Sequence, residues 1–148
     1  MIYYILLCQA VGLSGTYATR RSLREWFPQL KKPALNPPAW VFGPVWTLLY
    51  LLMAIAGWRV SGYPEAKHWF YVQLVLNGLW TPLFFGLRRP GLAFVEMLLM
   101  LLAIARCITV FAAFDPLAAA LFVPYQAWVG FAAYLNFEIW RLNRRAAH

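Results

Sequence analysis

The sequence predicts an all-α integral membrane protein built as a five-transmembrane-helix bundle. Three observations predict it. The composition is 63% hydrophobic and only 12% charged, with a mean hydropathy of +0.59. Five apolar runs each approach the roughly 20 residues that a helix needs to cross a bilayer. Basic residues collect in short clusters at the ends of those runs. A soluble domain of 148 residues needs far more charge to cover its surface. Barrel strands would alternate over about ten residues, and these longer runs do not alternate. Helices are then the way to satisfy the backbone in lipid. Five spans leave little chain for anything else, so 1–148 reads as a single domain.

The first run covers about 2–19 and stops at Arg20 and Arg21. It lacks a basic leader and contains Gln9, Ser14 and Thr16, which suits a retained span better than a cleaved signal peptide. The polar stretch 20–38 follows, with Arg24, Glu25, Lys31 and Lys32. Its Pro33, Pro37 and Pro38 favour extended or turn backbone, so it reads as a long connecting loop. The second run, about 40–60, is closed by Arg59 and the Ser61-Gly62-Tyr63-Pro64 turn. The third, about 68–87, meets Arg88-Arg89-Pro90-Gly91; the fourth, about 92–114, is broken by Asp115-Pro116. The fifth covers about 117–140 and runs into Arg141, Arg144 and Arg145.

The net charge of +8 does not imply nucleic acid, because the cations lie between apolar runs and not along one groove. They obey the positive-inside rule instead. The segment after span one, the turn after span three and the tail hold most of them, whereas the other side offers Arg59 and Lys67 against Glu65 and Asp115. The N-terminus is expected outside and the C-terminus in the cytoplasm. Cys8 and Cys107 lie in apolar runs and read as packed thiols; no metal-ligand spacing exists.

No nucleophile–base pair or phosphate loop is present, and His68 and His148 lie at a span boundary and at the terminus. What recurs is a mixture of aromatic and small polar residues at helical spacing. Trp46, Tyr50, Met53 and Gly57 share a face of span two; Asn77, Thr81, Phe84 and Arg88 one of span three; Tyr125, Trp128, Ala132 and Asn136 one of span five. Such faces suit a large, flat, mostly apolar ligand. They equally suit bundle packing, with Asn and Thr bonding across helices, and spacing alone leaves both open. Pro44, Pro82 and Pro124 each free a carbonyl inside a span. Glu96 and Arg106 are charges within span four, too far apart along the axis to pair. Gly12, Gly15, Gly78, Gly130 and Ala133 permit close helix approach.

Three stretches are more specific. Residues 32–50 (KPALNPPAWVFGPVWTLLY), 77–86 (NGLWTPLFFG), and Phe122-Val123-Pro124-Tyr125 with Trp128, Tyr134-Leu135-Asn136 and Trp140-Arg141-Leu142-Asn143 resemble the signatures of the TspO/MBR family. These are the tryptophan-rich sensory proteins, bacterial relatives of the mitochondrial translocator protein, or peripheral-type benzodiazepine receptor. The resemblance implies a five-helix bundle, commonly a homodimer, that binds tetrapyrroles such as protoporphyrin IX, and in some members sterols or benzodiazepine-type synthetic ligands. It implies a lid formed by the 20–38 loop, Pro37 included. By motif position it places Trp46, Tyr50, Thr81, Phe84, Phe85, Trp128 and Ala132 in the ligand site, and the shared faces add Asn77 and Asn136.

Two departures stand out. Leu35 occupies a position where members often carry Trp. Phe137 and Glu138 stand where a sterol motif would need Tyr, so sterol is a poor expectation. The implied function is a receptor- or translocator-type protein of a bacterial cell membrane, with a sensing, transport or tetrapyrrole-regulating role. It requires no cofactor; the porphyrin is the ligand, and the bilayer is the other partner. The alternatives are a light- and oxygen-dependent porphyrin-degrading enzyme using Trp46 and Trp128, and a non-catalytic scaffold.

Overall fold

The computed structural model describes residues 1–34, 36 and 39–143; side chains of 16–19, 21–24, 39, 40 and 42 lie outside the description. The described chain forms five long helices. They are α1 (Ile2–Glu25), α2 (Ala39–Arg59), α3 (Pro64–Thr81), α4 (Pro90–Phe114) and α5 (Pro116–Asn143). A 3-10 turn, Phe27–Gln29, lies between α1 and α2, and a π-turn, Pro82–Gly86, extends α3.

Proline sets the starts. Pro64, Pro90 and Pro116 each open a helix, where a missing N–H costs nothing and the fixed φ suits the first turn. Asp115 caps α5, its Oδ1 accepting from the Leu117 and Ala118 amides at 3.1 and 3.3 Å. Just after α3, Pro82 cannot donate to the helix ladder, and the chain widens so that the Leu87 N–H donates to the Pro82 carbonyl at 2.8 Å. Arg88 then takes left-handed backbone (φ 53°) and reverses the chain into α4.

The expected loop 20–38 needs correction. Helix α1 does not stop at the arginines but continues to Glu25. Arginine ends an apolar run without ending a helix, and Arg20 to Glu25 contains neither Gly nor Pro. For the same reason α3 starts at Pro64, through Glu65 and Lys67, earlier than hydropathy alone places it.

The helices close into a ring. Helix α1 packs on α2 and α3, α2 on α5, α5 on α4, and α4 on α3. Gly12 makes the α1–α2 contact close: a Cβ there would lie 2.6 Å from the Tyr50 ring. Gly15 likewise receives Thr81 of α3. Among the described residues, α4 and α5 are long and apolar enough to cross a membrane by length and composition, and Ile2–Gly15 is a shorter apolar stretch. Large apolar side chains such as Leu6, Leu13, Val75, Val95, Leu102 and Val123 point outward and are exposed.

Candidate functional site

The interior of the ring has two unlike halves, divided by a buried hydrogen-bond network. The Tyr50 hydroxyl of α2 donates to Asn77 Oδ1 of α3 at 2.6 Å. Asn77 Nδ2 donates to the Tyr125 hydroxyl of α5 at 2.8 Å. Tyr125 donates onward to Gln73 Oε1 at 2.9 Å, and Gln73 Nε2 donates to the Phe70 carbonyl at 2.9 Å. The network pins α2, α3 and α5 together across the ring, and every bond in it is buried. A satisfied network of this kind specifies one packing, because breaking one bond strands a polar group.

Beyond it, towards the α2–α3 and α4–α5 turns, the interior is filled. Met53, Phe70, Ile104, Cys107, Phe111 and Phe122 are completely buried there. Phe122 packs edge-on to Phe111 at 5.0 Å. This end is closed by a two-pronged ion pair, Arg59 to Asp115 (2.8 and 3.3 Å), and by Tyr63 stacked on Phe114 at 4.5 Å. The Arg59 guanidinium, hydrogen-bonded to Asp115, holds that carboxyl below its ordinary value.

On the other side, towards the α1–α2 connection, lie the half-buried indoles. Trp46 sits 5.5 Å from Tyr50, 6.5 Å from Tyr125 and 6.5 Å edge-on to Trp128. Ala132 packs against the same core. Trp46, Tyr50 and Trp128 therefore do come together, with Tyr125 as a fourth member. The rings touch one another, so a flat ligand must part them.

The other expected residues are placed differently. Thr81 faces Gly15 in the α1–α3 contact. Phe84 and Phe85, carried round by the π-turn, belong to a second aromatic cluster with Trp80, Trp26 and Phe27. Trp80 stacks on Phe84 at 5.0 Å, and Trp26 meets Phe84 edge-on at 5.5 Å. Asn136 accepts from the Trp80 indole N–H at 2.8 Å and donates to the Pro90 carbonyl at 2.7 Å, so its amide binds three helices together. Asn77 and Asn136 thus have the interhelix role that spacing had left open. Pro37 lies outside the described residues.

Glu96 is 7% exposed, and among the described residues neither carboxyl oxygen has a hydrogen-bond partner. Arg106 instead reaches the surface, 3.6 Å from Glu65 and over the Trp69 ring at 5.7 Å. A groove of about 650 Å³ along α3 is lined by Lys67, His68, Tyr71, Val72, Val75 and Leu76, and no ring of either aromatic cluster lines it.

Sequence reasoning placed Tyr125 on the same face as Trp128 but did not carry it into the ligand site, and it passed over Gln73, Trp80 and Asn143. Helical spacing could have added Gln73, which lies one turn before Asn77. Trp26 and Phe27 carry no such signal, because they meet α3 only through the chain path.

A ring of five helices with an aromatic, hydrogen-bonded interior and large apolar side chains facing outward has the make-up of a helical membrane-type protein. The profile of the TspO/MBR family matches residues 4–141. The chain is 40% identical over 143 residues to a tryptophan-rich sensory protein of Cereibacter sphaeroides, covering 95% of this chain and 90% of that one. It is 37% identical over 148 residues to the tryptophan-rich protein TspO of Archaeoglobus fulgidus, covering 97% and 96%. It is 40% identical over 127 residues to the translocator protein of Homo sapiens, covering 80% and 75%. The chain belongs to the TspO/MBR family, a family of membrane proteins.

Proposed function

We propose that this chain crosses a bacterial cell membrane five times and binds tetrapyrroles such as protoporphyrin IX, in a sensing, transport or tetrapyrrole-regulating role. The observation that carries the reading is the meeting of Trp46, Tyr50, Tyr125 and Trp128 beside a satisfied polar floor. Aromatic faces take up a flat macrocycle by stacking, and the packed far half of the ring restricts the ligand to the half near the α1–α2 connection. Outward-facing leucines and valines support the five spans. The homodimer and benzodiazepine-type ligands follow from the family resemblance alone, and sterol is disfavoured by the departure at Phe137 and Glu138.

A second reading rests on the edge-on contact of Trp46 and Trp128 at 6.5 Å. Two adjoining indoles beside a light-absorbing macrocycle are oxidisable, with oxygen as oxidant, which suits porphyrin breakdown. One experiment addresses both. Purified protein is titrated with protoporphyrin IX in the dark, then illuminated while the Soret band is followed. Saturable binding with a stable band is expected. Protein-dependent loss of the band would favour the enzyme, and no saturable binding would defeat both.

A further inference from the structure

The described residues after α1, 26–32, run from the α1–α3 side of the ring to the end of α5. Trp26 and Phe27, just after α1, pack on Phe84 and Phe85 of the π-turn, at the α1–α3 side. A few residues later the chain is fastened to the end of α5, whose own ring neighbours are α2 and α4. The fastening is the Asn143 side chain, 7% exposed. Its Oδ1 accepts from the Lys31 N–H at 2.9 Å, and its Nδ2 donates to the Lys31 carbonyl at 2.8 Å. Nδ2 also donates to the Ile139 carbonyl at 2.8 Å, which ties the amide to its own helix. The pairing with Lys31 imitates a strand neighbour: one side-chain amide satisfies both backbone groups of a residue 112 positions away.

Between the two attachments the strap is stiffened from within. Lys32 Nζ donates to the Phe27 and Leu30 carbonyls at 2.9 and 3.2 Å and lies 4.5 Å over the Phe27 ring. Leu30 packs on the small cluster of Phe84, Ala93 and Ile139. The opposite end of the ring is closed by Arg59–Asp115 and by the packed phenylalanines described above, which leaves the strap end as the way into the aromatic half along the ring axis.

We propose that Asn143 is a positioning residue: it clamps the strap across the mouth of the ring and thereby sets how fast ligand enters and leaves. The clamp stands on geometry alone, and its effect on ligand rests on the tetrapyrrole reading. Asn143→Leu keeps the branched heavy-atom shape and deletes the hydrogen bonds to Lys31 and to the Ile139 carbonyl. Hydrogen exchange of the Lys31 amide in the full-length protein then quickens by about tenfold, the worth of a released hydrogen bond. Association and dissociation of protoporphyrin IX, followed by stopped flow, rise together by a similar factor, while Kd moves much less. A residue that merely touched ligand, or merely held the fold, would not produce that pattern. Unchanged Lys31 exchange would overturn the clamp. Faster exchange with unchanged porphyrin rates would overturn the gate. If the unsubstituted protein binds no protoporphyrin IX, the tetrapyrrole reading fails and the gate with it, and Lys31 exchange alone judges the clamp. Should Asn143→Leu fail to fold, Lys31→Pro removes the strap's donor without touching α5. The extended Leu30 (ψ 143°) accepts a following proline, and the same rise in both porphyrin rates is expected.

Discussion

Two aromatic side chains of the same type separate site from surface. Trp128 lies within the interior cluster, edge-on to Trp46, whereas Trp58 is 43% exposed. Stacking one ring on a large flat ligand is worth roughly 1–3 kcal/mol by analogy with bases, so Trp128→Ala is expected to weaken protoporphyrin IX binding about five- to a hundred-fold. Trp58→Ala is expected to leave it unchanged in the same fluorescence titration; the reverse order would place the site elsewhere. Tyr125 tests the floor. Its hydroxyl accepts from Asn77 and donates to Gln73, so Tyr125→Phe strands one buried donor and one buried acceptor. The cost is about 1–3 kcal/mol for each stranded group. Tyr50→Phe strands only Asn77 Oδ1 and is expected to lower Tm less.

Between elements, an ion pair closes the far end of the ring. The Arg59–Asp115 pair joins the end of α2 to the start of α5, and Asp115 also caps α5. The folded protein holds this carboxyl below its ordinary value, chiefly through the hydrogen bond from Arg59. The unfolded chain therefore takes up the proton first as pH falls. The contribution is complete above the ordinary aspartate value near about 4 and is lost as pH drops through the depressed folded value. Thermal melts from neutral pH down to about pH 3 should show this loss, small because the pair is accessible. Asp115→Asn, which keeps the cap and removes the titrating group, is expected to flatten the acid limb; an unaltered limb would count against the pair.

For the whole molecule, the sealed end and the strapped end make the ring asymmetric, and the basic residues follow the same asymmetry. Arg20, Lys31, Arg88, Arg89 and Arg141 gather at the strapped end. The positive-inside bias predicts that this end, with the C-terminus, faces the cytoplasm. A C-terminal reporter active only in the cytoplasm is the expected outcome; activity only on the outer side would reverse the topology and the side from which ligand arrives.

Composition and run length by themselves determined the all-helical class, the five long elements and their order, because the period and the apolar length of a helix are local properties of the chain. Motif resemblance brought Trp46, Tyr50 and Trp128 to one site, and the structure puts their rings together. Hydropathy mistook the end of the apolar run for the end of α1, since it measures solvent preference and not helix propensity. It was also silent on the widened turn after Pro82, which sends Phe84 and Phe85 to the strap. Which helix an amide bonds to was undecidable from spacing, and the closing of the ring gave Asn77 and Asn136 their partners. The same holds for Asn143. Its partner Lys31 is distant in sequence, and only the return of α5 to the mouth of the ring makes the two meet, because a hydrogen bond is specified by position in space and not by position in the chain.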